Sequence, residues 1–253
     1  MSTVMPSRPL LAAAGRAIGD YGMVRDGDRI LLGLSGGKDS LSLLHILMQL
    51  RQKAPVKFEL AACTVDPQSP DYDPSPLKGY LADLGVTYFY VSQPIVAEAA
   101  EHMHGDSFCA YCSRMRRGIL YRIARENGYG ALALAQHLDD LAESFLMSAF
   151  FGGRLKTMQA HYLNEAGDVR VIRPLVYARE RQTRDFAARA GLPVIFENCP
   201  ACFARPMQRF RMKQLLAEEE KLHPQLFANL ISTLRPLMGA RAETPSGHCG
   251  VCR

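Results

Sequence analysis

The segment ILLGLSGGKDS, residues 30–40, constrains the fold of this chain more than any other. Its apolar beginning is typical of a buried parallel strand, and an apolar-periodic helix follows its end. The glycine turn between them lets backbone N–H groups converge at a helix N-terminus, where the helix dipole favours an anion. Gly36 and Gly37 carry no Cβ that would obstruct the anion. The sequence therefore predicts a phosphate-binding loop.

This loop differs from a Walker A loop, which reads G-x-x-x-x-G-K-[ST]. Here the glycines are adjacent, and Asp39 follows Lys38 where Walker A has Ser or Thr. The hexapeptide SGGKDS instead resembles the PP-loop of the N-type ATP pyrophosphatases, which cleave ATP between its α and β phosphates. A glycine-rich turn without a ligand is the alternative. The resemblance implies catalytic roles for Lys38 and Asp39 and ATP contacts from Ser35, Gly36, Gly37, Lys38, Asp39 and Ser40.

Composition places the chain among ordinary globular proteins. Its 253 residues are 48% hydrophobic and 22% charged, which allows a sizeable core. No apolar run approaches the roughly 20 residues that span a bilayer, and the apolar stretch near the N-terminus is too short for a signal peptide. We therefore expect a cytoplasmic protein without membrane contact. A net charge of +5 permits a nucleic-acid partner without requiring one.

Strands alternate with helices over residues 29–198. This pattern predicts an α/β fold with one doubly wound parallel sheet, including a strand at residues 193–196. We divide the chain into an N-terminal helical segment (1–28), a PP-loop domain (29–198) and a helical C-terminal extension with cysteine pairs (199–253).

Acidic residues lie at the carboxyl ends of two predicted strands. Asp66 follows the strand over residues 58–65 and faces the ligand crevice of an open α/β sheet, where it can contact ribose or adenine. Asp139 and Asp140 follow the strand over residues 131–135. Either they only cap a helix, or one caps it and the other binds Mg²⁺ on a triphosphate. The nearby phosphate loop favours the second interpretation, with Asp139 as the magnesium ligand and both residues as catalytic candidates.

The chain has seven cysteines, one single and six in C-x-x-C pairs. Such pairs in an intracellular chain indicate metal or redox chemistry, because structural disulfides do not persist there. Soft thiolates suit zinc or an iron–sulfur cluster. A Cys₄ zinc site and a redox-active or persulfide-carrying pair are both open alternatives. The single cysteine is Cys63, in an apolar run typical of core, and the pairs are Cys109/Cys112, Cys199/Cys202 and Cys249/Cys252.

Arginines adjoin two of the cysteine pairs. They can neutralise RNA phosphates, or they form an ordinary solvated helix face. If the two cysteine pairs lie close together in the folded protein, these arginines surround the site that the cysteines form. The candidate RNA-binding residues are Arg114, Arg116, Arg117, Arg205 and Arg209.

Further segments sharpen the resemblance. The run beginning at His137 (HLDD), the run FGG at residues 151–153 and the run IRPL at residues 172–175 are similar to motifs of PP-loop proteins that thiolate tRNA. The stretch CAYCSRMRRG, residues 109–118, resembles the signature of the 2-thiocytidine-forming, TtcA-like branch. The similarity covers roughly residues 29–235.

This resemblance implies a reaction and its cofactors. ATP–Mg²⁺ adenylylates the C2 oxygen of a cytidine in a tRNA anticodon loop, with His137 at the ATP site, and sulfide from a [4Fe-4S] cluster replaces that oxygen. The cluster ligands would be Cys109, Cys112 and Cys202, although spacing does not choose between Cys199 and Cys202. The sulfur donor would be a cysteine desulfurase or free sulfide.

The C-terminal pair Cys249/Cys252 departs from this branch. It is interpreted as a second metal site, a sulfur relay, or a ligand pair shared between the subunits of a homodimer. Two other functions stay open: a PP-loop enzyme acting on another substrate, and a zinc-stabilised RNA-binding module without catalysis.

Overall fold

The computed structural model describes residues 4–70, 72–102, 107–195 and 208–240. Within them, six strands form one sheet in the order β3-β2-β1-β4-β6-β5. The strand order reverses between β1 and β4, which makes this point the topological switch of the sheet. The strands are β1 (Asp28–Gly33), β2 (Phe58–Asp66), β3 (Thr87–Ser92), β4 (Ala131–Ala133), β5 (His161–Leu163) and β6 (Arg170–Ile172).

Helices connect the strands and extend the chain beyond them. They are α1 (Arg8–Tyr21), α2 (Lys38–Lys53), α3 (Ser75–Asp83), α4 (Ile95–His102), α5 (Ser107–Glu126), α6 (Leu138–Gly152), α7 (Glu180–Arg189), α8 (Gln208–Leu222) and α9 (Leu226–Leu234), with a 3₁₀ turn at Arg235–Leu237. None of the helices in the described ranges is both long and apolar enough to cross a bilayer.

The sheet buries side chains on both faces. Along β1, Ile30 and Leu32 belong to one apolar cluster and Leu31 to the other, and all three are fully buried. The first cluster includes residues of α1, α2, α6, α7, α8 and α9, and the second includes residues of α4 and α5. A strand buried on both faces reads as a continuous apolar run, which is why β1 is recognisable in the sequence. The predicted doubly wound α/β class is confirmed.

One detail of the predicted sheet is wrong. Residues 193–195 of the strand predicted at 193–196 form no strand, and residue 196 lies outside the described residues; instead the N–H of Ile195 donates to the carbonyl oxygen of Gly36 at 2.9 Å, so this segment contacts the phosphate loop. The other strands pair parallel, and β5 at the edge of the sheet pairs antiparallel with β6. These two strands are joined by a short turn, and a short turn can connect only antiparallel neighbours.

Some predicted site residues lie outside the described part of the chain. Cys109 has its backbone in α5, but its side chain is not among the described atoms. The others are Cys199, Cys202, Arg205, Cys249 and Cys252.

Candidate nucleotide and RNA site

The phosphate loop joins β1 to α2 at the switch point of the sheet. Helix α2 begins at Lys38 with Gly37 as its N-cap, and no described side chain caps it. Gly36 has a φ of +82°, and a Cβ at this position would lie 2.8 Å from Cδ1 of Ile195. Any other residue would therefore be strained there. The geometry leaves the first amides of α2 for an anionic ligand.

Hydrogen bonds within the loop fix its conformation. Oγ of Ser35 accepts from the N–H of Gly37 at 3.3 Å and lies 3.2 Å from Oγ of Ser40. The Ser40 hydroxyl donates to the carbonyl oxygen of Gly37 at 2.9 Å, and the Tyr72 hydroxyl donates to that of Ser35 at the same distance. The loop is thus shaped by its own contacts and those of Tyr72.

Lys38 belongs to an ion-pair network that joins α2 to α7. Its Nζ lies 2.8 Å from Oδ2 of Asp39 and 3.0 Å from Oε1 of Glu180. Glu180 also pairs with Lys213 at 2.6 Å, and the Thr183 hydroxyl donates to Asp39. Burial lowers the pKa of Lys38, but the two carboxylates outweigh burial and raise it, so the ammonium stays charged. Burial raises the pKa of Glu180, but hydrogen bonds from the two lysines bring it down to about 2.

The start of α6 is held by a reciprocal cap. The N–H of His137 donates to Oδ2 of Asp140 at 3.0 Å, and the N–H of Asp140 donates to Nδ1 of His137 at 3.3 Å. Nε2 of His137 lies 3.8 Å from Oδ2 of Asp39. The cap therefore aims the imidazole at the phosphate loop.

Asp139 faces a different neighbour. Nε of Arg179 lies 3.1 Å from one of its oxygens, and the N–H of Glu180 donates to the other at 2.8 Å. The remaining nitrogens of Arg179 bond to Glu220 at 2.7 and 2.8 Å, and its guanidinium lies over the ring of Phe227. Asp139 thus ties α6 to the start of α7, while Arg179 ties that region to α8 and α9.

Asp66 fixes the turn that follows β2. It accepts from the N–H of Gln68 at 2.8 Å and from the hydroxyl of Tyr90. Both of its oxygens are engaged, and Val65 rather than Asp66 lines the cleft in front of the phosphate loop.

That cleft has a volume of ≈ 1270 Å³. Asp39 and Asp140 supply its two lining carboxylates. Five basic side chains also line it, so its described wall is positively charged, as a polyanionic ligand requires. They are Arg116, Arg117, Lys156, Arg173 and Arg209. Arg114, which the sequence groups with them, is exposed on α5 outside this lining.

Helix α5 carries the first cysteine pair to the edge of the cleft. Cys112 is partly buried, and Ala110 and Ser113 on either side of it line the cleft. Cys109 lies three residues earlier in the same helix, a spacing that places two residues on one face. Among the described residues no three His, Cys, Asp or Glu side chains converge as a metal site. Cys63 is buried in the core, and burial raises its pKa to about 12, so its thiol stays protonated.

Glu143 is a buried carboxyl one turn beyond Asp140. Burial, followed by the charge of Asp140, raises its pKa to about 7, although Arg209 and Lys213 act in the opposite direction. Nε of Arg209 lies 3.8 Å from Glu143, and its Nη1 lies 3.6 Å from Asp140. Sequence reasoning missed Glu143, because nothing in a helical run of mixed residues shows which carboxyl will be buried.

We expect Glu143→Gln to change how stability depends on pH. Between the usual carboxyl pKa and about 7, the unfolded chain releases a proton that the folded protein keeps, so stability falls as pH rises. The variant should lose this slope and gain at most about 3 kcal/mol of unfolding free energy at pH 8. Urea unfolding at pH 5 and pH 8 measures the effect. The exposed Glu165→Gln is the control, and identical pH slopes in wild type and Glu143→Gln would contradict the expectation.

A mostly parallel sheet whose first strand leads into a glycine phosphate loop at the switch point defines a nucleotide-binding α/β protein. The chain belongs to the PP-loop domain family, whose sequence profile matches residues 12–199.

Curated relatives and a solved structure are similar to this protein over most of the chain. A tRNA-cytidine(32) 2-sulfurtransferase of Geobacter sulfurreducens is 43% identical over 88% of this chain and 87% of its own length. The enzyme of the same name from Ralstonia nicotianae is 39% identical over 89% and 72%. The U34-tRNA thiolase NcsA from Methanococcus maripaludis, solved with its [4Fe-4S] cluster, superposes with a TM-score of 0.74 at 22% identity, over 97% of this chain and 81% of that one. This last similarity shows the fold.

Proposed function

We propose that this protein is an ATP-dependent tRNA sulfurtransferase that converts a cytidine of the anticodon loop, at position 32, to 2-thiocytidine. One observation carries the proposal: the phosphate loop and the beginning of the cysteine-bearing helix α5 border the same cleft. ATP must activate an oxygen of the base and sulfur must then replace that oxygen, so both reagents have to reach the same cleft. The names of the relatives, at 39–43% identity, support the same substrate.

In the first step, the C2 oxygen of the base attacks the α phosphorus of ATP. The bond from that phosphorus to the β-phosphate oxygen breaks, and pyrophosphate leaves. The first amides of α2 and the ammonium of Lys38 neutralise charge that develops on the phosphates. In the second step, sulfide attacks C2, and the original oxygen leaves as part of AMP. Adenylylation is required because the oxygen alone is a poor leaving group.

Magnesium on the triphosphate prefers carboxylate and phosphate oxygens. Asp39 lies in the phosphate loop and lines the cleft. Asp139, the magnesium ligand expected from the sequence, is not among the residues that line the cleft, and it bonds to Arg179 and to the N–H of Glu180. We therefore assign the magnesium contact to Asp39 and a positioning role to Asp139, which holds α7 beside the loop. His137, aimed at Asp39, and Asp140, which caps α6, complete the ATP side of the cleft.

Cys109, Cys112 and Cys202 are the proposed ligands of a [4Fe-4S] cluster, with Cys199 as the alternative third ligand. The donor set fits, because two cysteines one turn apart near the beginning of α5 lie where the helix dipole favours thiolates. When bound by three thiolates, such a cluster keeps one iron open for an external sulfide. Cys63 is unsuited, since burial keeps it a thiol.

The tRNA would enter along the basic wall of the cleft. Arg116 and Arg117 from α5 line the cleft together with Arg209 from α8, and Arg114 lies on α5 outside this lining. These side chains are proposed to bind phosphates of the loop. A tRNA substrate places the reaction in the cytoplasm, with a cysteine desulfurase or free sulfide as the sulfur donor.

Reconstitution tests the proposal. Protein purified without oxygen is incubated with ATP, Mg²⁺, sulfide and a tRNA transcript, and the digested nucleosides are analysed by mass spectrometry. We expect 2-thiocytidine that depends on ATP, and none with a transcript carrying uridine at position 32. Pyrophosphate release without a thiolated nucleoside would indicate another substrate. A colourless protein that binds zinc and RNA but does not turn over ATP would indicate a non-catalytic module.

A further inference from the structure

The outer end of α6 carries an exposed aromatic pair. Phe150 and Phe151 are 59% and 50% exposed, and their rings meet edge to face with centroids 6.5 Å apart. Leu155, shortly after the helix, is 73% exposed. Large apolar side chains that are exposed next to one another are typical of a surface that binds a partner molecule or a ligand.

This pair continues the wall of the cleft. The cleft-lining residues of α6, which include Asp140, Ser144 and Ser148, recur every three or four positions. Phe151 lies seven positions after Ser144 and three after Ser148, so it falls on the same face one turn further out. Phe151 therefore stands at the mouth of the cleft, with Phe150 beside it.

The chain beyond α6 brings positive charge back to this mouth. Gly153, with a φ of +58°, ends the helix, and the Thr157 hydroxyl donates to the carbonyl oxygen of Leu141 at 2.7 Å. These contacts return Lys156 to the lining of the cleft, with Arg154 just before it. No acidic residue occurs between positions 144 and 164. The aromatic pair thus lies in a segment whose only charged side chains are cationic.

We propose that Phe150 and Phe151, with Arg154 and Lys156, form a platform that binds unpaired bases of an RNA loop; the platform rests on the proposed function. Aromatic rings stack on bases without regard to sequence, and the adjacent cations neutralise the phosphates between them. The platform would hold nucleotides that flank the reacting cytidine while that base enters the cleft. A symmetric contact between two copies of the chain fits less well, because it would bring these cations together without acidic partners.

Phe151→Ala should raise the Kd of a fluorescein-labelled anticodon stem-loop about tenfold, the size expected for one lost stacked base. Phe151→Tyr should keep the wild-type Kd, because a tyrosine ring also stacks. Phe151→Leu should weaken binding as Ala does, because leucine retains apolar area without an aromatic face. Leu222→Ala, which truncates an apolar side chain that is 71% exposed on α8, is the matched control and should not change the Kd. Fluorescence anisotropy measures these four variants, Phe150→Ala and the wild type.

Two results would overturn the platform. One is a wild-type Kd for both Phe150→Ala and Phe151→Ala. The other is a change from dimer to monomer in sedimentation with RNA binding intact, which would assign the patch to a second copy. In either case, thiolation by the wild type would still support the proposed function. A wild-type protein that neither binds the stem-loop nor thiolates tRNA would overturn both proposals.

Discussion

Lys38→Ala should lower AMP and pyrophosphate formation by roughly 100-fold or more, the loss typical when one preorganised charge on a reacting group is removed. Lys38 is the first residue of α2, and its ammonium is held charged by Asp39 and Glu180. It therefore needs no reorganisation when charge develops on the phosphates. Asp39→Asn should have a similar effect, because it removes the proposed magnesium contact and keeps the side-chain shape.

The matched control for Lys38→Ala is Lys53→Ala. Lys53 ends the same helix on an exposed surface, far from the loop, and its removal should leave activity intact. The Lys38 variant should stay folded, because Glu180 retains Lys213 as a partner. Quenched-flow measurement of pyrophosphate separates chemistry from binding. Release at the wild-type rate by Lys38→Ala would show that ATP reacts elsewhere.

The local parts of this site could be predicted from the sequence. A buried parallel strand, adjacent glycines and an amphipathic helix each leave a signal within a few residues, so the phosphate loop and the presence of an N-terminal helix follow from the sequence. The reciprocal cap at His137 and Asp140 is local in the same sense.

The remaining parts depend on contacts between distant segments. Glu180 and Thr183 lie more than 140 positions after Asp39, and only the packing of α7 on α2 brings them to the loop. The sequence likewise shows two acids at the start of α6 but not the partner of each one. In the folded protein the guanidinium of Arg179 forms its hydrogen bond with Asp139. Residues 193–195 have strand-forming side chains, yet their hydrogen bond goes to the loop at Gly36.

The cysteines should divide into two groups by their effect on bound iron. Ser in place of Cys109, Cys112 or Cys202 should remove the cluster and end thiolation. Each of the three thiolates would hold one iron, so the loss of any one weakens the attachment of the whole cluster. Ser in place of Cys199 should leave iron bound. Cys63→Ala is the internal control, since Cys63 is a buried core thiol and its replacement should cost some stability but no iron.

A Cys₄ zinc site would give a different pattern across the same variants. Zinc held by both pairs makes Cys199 as important as Cys202, and loss of any ligand should lower the melting temperature sharply, because structural zinc contributes folding energy directly. An open cluster at the edge of the cleft should instead be lost with a smaller change in melting temperature, because the two apolar clusters of the described residues already bury both faces of the sheet without a metal ion. Iron, zinc and melting temperature are therefore measured together for each variant, including Cys249→Ser and Cys252→Ser. Equal losses at Cys199 and Cys202, with zinc present and iron absent, would rule out the three-cysteine cluster.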